Sequence, residues 1–243
     1  MKALLILLIV WGIAASFVNL HHVFLPEPLG VLQSLWSEII NGKLLDNFLM
    51  TFGRVFAGLL VGIGLGAPLG ILIGISKRVR KQLLPLIEIF RSIPTSMLFP
   101  VFIVVFGIGE IAKLVIVASA TFPIMVISTF TGMAERKENQ DRRDYLELHK
   151  GVLSWKIKVL ALIWNALPSI IGGLKVSISI ALVLTIVTEM FFIASSGVGW
   201  AANQAYQAFN LDEMYMYIFA VGLIGLGINL VFDKLVGKFF KTI

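Results

Sequence analysis

Long apolar runs separated by short polar stretches dominate the chain. A helix needs about 20 apolar residues to cross the hydrocarbon of a bilayer. Six such runs occur, over residues 4–20, 52–75, 84–106, 114–132, 167–193 and 214–236. They predict six transmembrane helices. The third carries Glu88, Arg91, Pro94 and Pro100, so it is the least regular and can begin as an interfacial turn.

The basic residues between the runs alternate. Segment 20–48 has only Lys43, whereas Lys77, Arg78, Arg80 and Lys81 follow the second run. Lys113 is alone in 107–113; the next loop has Arg136, Lys137, Arg142, Arg143, Lys150, Lys156 and Lys158. No Lys or Arg lies in 194–213, and Lys234, Lys238 and Lys241 close the chain. Cytoplasmic loops are the ones enriched in Lys and Arg. Six spans with both termini cytoplasmic satisfy this alternation. A rival reading concerns the first run: Lys2, the apolar residues and Ala14-Ala15-Ser16 resemble a signal peptide. Its cleavage would leave five spans, an exoplasmic start and the later loops unchanged.

Composition strengthens the membrane reading. The chain is 58% hydrophobic and 14% charged, with mean hydropathy +0.94, against about 45–50% and about 25% for soluble domains. A chain of 243 residues cannot bury that excess in an aqueous core. The net charge of +6 sits in the loops and tail, so it argues for orientation rather than nucleic-acid binding. There is no cysteine, which excludes disulfides, thiolate metal sites and a cysteine nucleophile. No GxxxxGK[ST] motif occurs, so any ATP is hydrolysed by a partner. The GxGxxA strings at Gly62 and Gly107 follow no strand, which argues against a dinucleotide site.

Gly58, Gly62, Gly66, Gly70 and Gly74 recur every fourth residue and form one ridge where another backbone can approach closely, within the chain or between subunits. Pro68, Pro94, Pro100, Pro123 and Pro168 lie in or beside spans. Each removes a donor and can shape a cavity, although proline is also simply commoner in membrane helices. Charged groups within spans need a reason. Arg54 and Lys175 can snorkel, and Glu88 with Arg91 share a helix face and can pair. Glu189 lies beside Thr185 and Thr188. These residues, with Arg91 and Thr121, are candidates for a polar pathway; interfacial snorkelling and structural pairing are the competing readings. His21, His22 and His149 have no carboxylate at ligand spacing, so no metal site is expected. No Ser/His/Asp constellation suggests covalent chemistry, and the chain is not expected to be an enzyme.

The largest polar segment, 134–158, ends in Tyr145-Leu146-Glu147-Leu148-His149-Lys150-Gly151 and continues to Ser154-Trp155. It reads as a short interfacial helix broken at Gly151, or as a solvated amphipathic connection. From about Phe24 to Phe240 the chain resembles the permease subunit of binding-protein-dependent ABC importers, in the nitrate, sulfonate, taurine and bicarbonate branch. The resemblance is carried by Phe24-Leu25-Pro26 with Pro28, Phe90-Arg91-Ser92-Ile93-Pro94, Phe106 to Glu110 and Thr121-Phe122-Pro123. Further along, Ala166-Leu167-Pro168 with Gly173-Leu174, Thr188-Glu189-Met190 and Ala194 to Gly199 add to it. Relative to the family's EAA signature, Tyr145 to Glu147 fits the start, and Gly151, Trp155 and Pro168 fit the end. Leu148-His149 replace the two alanines, the Glu-to-Gly distance is two residues short, and Trp164 stands where relatives often have proline.

The resemblance implies an all-α type I ABC importer permease fold, with one permease domain over 1–243, core spans over about 52–236 and a coupling loop over about 134–158. It implies a second permease subunit, identical or homologous, two cytoplasmic ATPase subunits and a soluble or lipid-anchored substrate-binding protein in the bacterial cytoplasmic (inner) membrane. ATP and Mg would bind the ATPase subunits; this chain would bind no cofactor. The ATPases would grip Tyr145, Leu146, Glu147, Leu148, Gly151, Ser154 and Trp155. A small anion is the expected solute. A stand-alone transporter or channel would show inverted repeats, and no convincing repeat occurs. A membrane scaffold would explain the glycine ridge but not the ordered motifs.

Overall fold

A computed structural model describes residues 10–15, 25–134, 155–191 and 195–241. The described elements are helical: α1 (Pro28–Ile40), α2 (Lys43–Ile75), α3 (Lys77–Ser92), a 3-10 turn (Thr95–Leu98), α4 (Phe99–Phe106), α5 (Glu110–Ala134), α6 (Trp155–Phe191), α7 (Val198–Gln207) and α8 (Leu211–Lys241). Residues 10–15 are helical as well. The expected first span over 4–20 and the loop residues Tyr145 to Ser154 lie largely or wholly outside the described residues.

Among the described residues four helices (α2, α5, α6 and α8) are long and apolar enough to cross a membrane. With 33 residues, α2 is about 50 Å long, longer than the hydrocarbon it crosses. The expected single span over 84–106 is instead two arms bent by 89°. Local chemistry explains the break. Ser76 caps α3, its side chain accepting from Val79 N, and α3 then carries Lys77, Arg78, Arg80, Lys81, Glu88 and Arg91. Ile93 is extended at φ −82°, ψ 122°, the conformation forced on a residue preceding proline. Pro94 has no N–H with which to continue the helix. If the bent pair is one span, the count is five.

Contacts divide the chain into two compact units: Met1–Gly53 with Thr185–Val231, and Arg54–Leu184 with Phe232–Ile243. The first has a core of Val31, Phe48, Val198, Met216 and Tyr217, onto which Leu35 and Trp200 pack. The second has a cluster of Ile73, Ile87, Val126 and Phe130, with the Arg80 guanidinium 4.8 Å over the Phe130 ring.

Within the second unit α5 is the central helix. The glycine row of α2, Gly58 to Gly74, faces it over more than four turns. An ideal Cβ at Gly58 would lie 2.5 Å from Val117, at Gly66 and Gly70 2.6 Å from the Phe122 and Val126 carbonyl oxygens, and at Gly74 2.7 Å from Met133 Sδ. At Gly62 it would collide with Thr121 Oγ1. On α6, Gly173 meets Ser128, and Gly132 of α5 meets Ala166 and Ser169. Missing side chains therefore let three helices approach backbone to backbone, the packing that works in lipid, where no hydrophobic drive joins helices.

Candidate functional site

The second unit contains a cavity of about 500 Å³ at the break between α3 and the 3-10 turn. Arg91, Pro94 and Thr95 line it from the break, Ser119, Pro123 and Ser128 from α5, and Val176 and Ile180 from α6. The proline-forced break places Arg91 there, because α3 ends one residue later. Arg91 forks onto Glu88, with Nη2 and Nε at 2.8 and 3.2 Å from Oε2, as their three-residue spacing predicts. Both side chains are about half exposed, so water screens the pair and its contribution is under about 1 kcal/mol. The guanidinium is therefore held only weakly by its neighbour. Ser119 Oγ donates to the Ile116 carbonyl, and the wall is otherwise mainly apolar.

A second charged cluster joins α2 to the first turn of α5. Arg54 donates to both oxygens of Glu110 at 2.7 and 2.9 Å, and Lys113 Nζ donates to Glu110 at 2.9 Å. Arg54 and Lys113 are largely buried while Glu110 is mostly exposed. Arg54, which the sequence allowed to snorkel, thus has a bidentate carboxylate partner. Lys175 of α6 pairs with Asp233 of α8 at 2.6 Å.

In the first unit the polar side chains form a cap for α7. The first N–H groups of any helix lack partners within it. Here Gly197 N donates to Asn47 Oδ1 at 3.0 Å, Val198 N to Thr51 Oγ1 at 2.9 Å and Gly199 N to Glu189 Oε2 at 2.9 Å. Thr51 in turn donates to the Glu189 carboxylate at 2.9–3.0 Å. Asn47 donates to Tyr217, whose hydroxyl donates to Glu38 at 2.8 Å. Glu189 is fully buried, and the helix N-terminus it faces favours a carboxylate. Gly197 has φ +115°, and a Cβ there would collide with the Glu189 carboxyl; one at Gly199 would collide with the Ile186 carbonyl.

The predicted pathway residues are therefore not gathered in one place. Arg91 lines the cavity. Thr121 is buried under Gly62, its hydroxyl donating to the Val117 carbonyl at 3.0 Å. Thr185, Thr188 and Glu189 belong to the first unit, with Thr188 donating to the Thr185 carbonyl at 2.8 Å. Sequence reasoning missed Ser119, Ser128 and the partners Asn47 and Thr51; Pro94 beside Arg91 was the signal available for the cavity. Of the coupling-loop residues, Trp155 begins α6, and the others lie outside the described residues.

Comparison with known proteins supplies the context. Residues 66–242 match the family described as "Binding-protein-dependent transport system inner membrane component". The putative aliphatic sulfonates transport permease SsuC of Escherichia coli is 32% identical, covering 89% of this chain and 81% of that protein. The nitrate import permease NrtB of Synechococcus elongatus is 28% identical, covering 92% and 83%. The taurine permease TauC of Escherichia coli is 26% identical, covering 91% and 81%. In structure, a chain of the inward-facing MetNI methionine ABC transporter superposes with TM-score 0.69 at 18% identity, over 83% of this chain and 98% of that one. That likeness establishes the fold, a helical type I ABC permease. With apolar spans, a helix-lined cavity and a family match over most of its length, the chain belongs to the binding-protein-dependent transport-system inner-membrane components, among the relatives of the sulfonate, taurine and nitrate permeases.

Proposed function

We propose that this permease forms the translocation pathway for a small anion such as nitrate, bicarbonate or a sulfonate. A soluble or lipid-anchored binding protein delivers the solute, and two ATPase subunits, which hold the ATP and Mg, drive import. The observation that carries the reading is the cavity at the α3 break, whose guanidinium, Arg91, is paired with a half-exposed neighbour, Glu88. Six spans with both termini cytoplasmic, and a second permease subunit, complete the arrangement. Thr121 fixes the packing of α5 against α2, while Thr185, Thr188 and Glu189 serve the internal packing of the first unit.

Alternating access needs two arrangements of the helices and a ligand that favours one of them. ATP-driven closure of the ATPases would supply that difference through the loop from Tyr145 to Trp155. Reconstituted with its partners, the Gly151→Asp protein should hydrolyse ATP without matching uptake; coupling equal to the wild type would reject the lever.

The anion reading is tested by uptake of labelled nitrate, bicarbonate and an alkanesulfonate in proteoliposomes. Arg91→Gln should raise the half-saturation concentration for the transported anion about tenfold, equivalent to roughly 1.4 kcal/mol. An unchanged value would remove Arg91 from the pathway. Purification in mild detergent separates the stand-alone transporter, because only the importer brings down stoichiometric ATPase subunits.

A further inference from the structure

Helix α1 has three faces. At 100° per residue, Leu29, Leu32, Trp36, Ile39 and Ile40 fall within an arc of about 100°, and each is more than half exposed, Trp36 by 68%. Val31, Leu35 and Glu38 fall on a second arc. Val31 and Leu35 pack into the core of the first unit, and buried Glu38 accepts from Tyr217. Gln33, Ser34, Ser37 and Asn41 occupy the third. On this polar side Gln33 and Gly30 line a groove with Glu27, Asn210 and Asp212.

Each face excludes an environment. A helix surrounded by water does not expose five large apolar side chains in one stripe, because contiguous patches of that kind mark a contact surface. A helix immersed in hydrocarbon has no use for the polar third. Thirteen residues give only about 20 Å, too short to cross the hydrocarbon. A helix with one side on protein, one in an apolar medium and one in water matches the boundary of a bilayer.

We propose that α1 is an in-plane membrane anchor, its stripe from Leu29 to Ile40 seated in lipid at the level where headgroups meet acyl chains. Three observations favour lipid over a protein partner. The only polar atom in the stripe's side chains is the Trp36 indole N–H, and tryptophan concentrates at this level because its ring is apolar and its N–H needs water. The chain turns at Asn41-Gly42 directly into helix α2, which is apolar enough to span a membrane and exposes Leu45 and Leu49 in its first two turns, so apolar surface resumes directly beyond the turn. Lys43 at that turn is exposed, its ammonium 3.9 Å from Glu38, and its long stem lets the charge stay in the polar headgroup layer above the stripe.

The chain has no cysteine, so one introduced thiol is unique in this subunit. Nitroxide labels at Leu29→Cys, Leu32→Cys, Trp36→Cys, Ile39→Cys, Gln33→Cys and Ser37→Cys are compared in the full transporter reconstituted into phosphatidylcholine–phosphatidylglycerol vesicles. Collision rates are measured with oxygen, which concentrates in lipid, and with a water-soluble nickel chelate. The stripe positions should show an oxygen-to-nickel ratio several-fold above that at 33 and 37. Nickel access at the stripe equal to that at 33 and 37 would place it in water and overturn the proposal. Exclusion of both reagents from the stripe would show a protein cover, a second copy included, and overturn it equally. Labels at Leu29 and Ile39 keep the test decisive if Trp36→Cys fails to assemble.

Discussion

In the unit built on Arg54–Leu184, helices meet where side chains are absent; in the unit of Met1–Gly53 and Thr185–Val231, a helix end is held by side chains that stand in for its own missing bonds. The two devices differ in what they tolerate. The contact of α2 with α5 depends on shape alone, and its nearest neighbours at Gly66 and Gly70 are backbone oxygens, which cannot rotate away. The cap on α7 depends on donors and acceptors: Asn47, Thr51 and Glu189 each take one backbone N–H. A glycine row gives a rigid panel beside the cavity. A polar cap gives a joint whose strength resides in a few replaceable atoms.

The sharpest way to break the comparison is to fill the row. Gly66→Leu must displace the Phe122 carbonyl and Met125 Cβ and should destabilise by at least about 3 kcal/mol, the upper end for overpacking. The loss would appear as a collapsed monodisperse peak and a lower midpoint of thermal unfolding in detergent. Gly64 lies on the same helix with nothing within 4 Å, so Gly64→Leu should stay within about 0.5 kcal/mol of the parent. Equal destabilisation at 64 and 66 would show that the contact with α5 is not what is being measured.

Thr51→Val tests the other device. Valine keeps the shape, but it removes the acceptor for Val198 N–H and a donor to Glu189. Stranding a buried N–H costs about 1–3 kcal/mol, and the same unfolding assay should register it. Thr51→Ser should restore most of the loss, since its hydroxyl can make both bonds. If serine and valine behave alike, the hydroxyl does not hold the cap.

How far the fold could be read from the chain follows the same division. The apolar runs locate the cores of α2, α5, α6 and α8, and the four-residue spacing marks the glycine ridge. Which helix the ridge meets is a tertiary fact that no local pattern carries. Hydropathy also underestimates helix length: α2 starts at Lys43 and α6 at Trp155, well before their apolar runs, because charged and amide residues interspersed in the leading turns interrupt the apolar pattern without breaking the helix. Helices α1 and α7, of 13 and 10 residues, are too short to register as spans. Pro94 and the neighbouring charges signalled the irregular third span, though not its sharp bend. For Glu189 the sequence shows a buried-looking carboxylate beside threonines. Its principal partner Thr51 lies 138 residues away, so a pathway and a cap look the same at that stage.

The smallest expected effect sharpens the idea that the ends of α7 are fixed by hydrogen bonds rather than by residue shape. Helix α7 ends in a Schellman motif: Phe209 N donates to the Tyr206 carbonyl and Asn210 N to the Ala205 carbonyl. Asn210 then caps α8, exchanging bonds with Glu213 at 2.8 and 3.4 Å. The left-handed position of such a motif is usually glycine, yet here it is Phe209 at φ +55°, with its side chain almost wholly exposed. A left-handed L-residue costs about 1–2 kcal/mol. Glycine removes that strain but returns about 0.5–1 kcal/mol of chain entropy to the unfolded state. Phe209→Gly should therefore raise stability by about 0.5 kcal/mol, a shift of a degree or so in the unfolding midpoint. Both Schellman bonds survive the substitution, because they are made by the backbone. A fall in stability would instead mean that the exposed ring has a partner in the assembled transporter. Comparing the isolated permease with the full complex then locates that partner, since only the complex would lose stability.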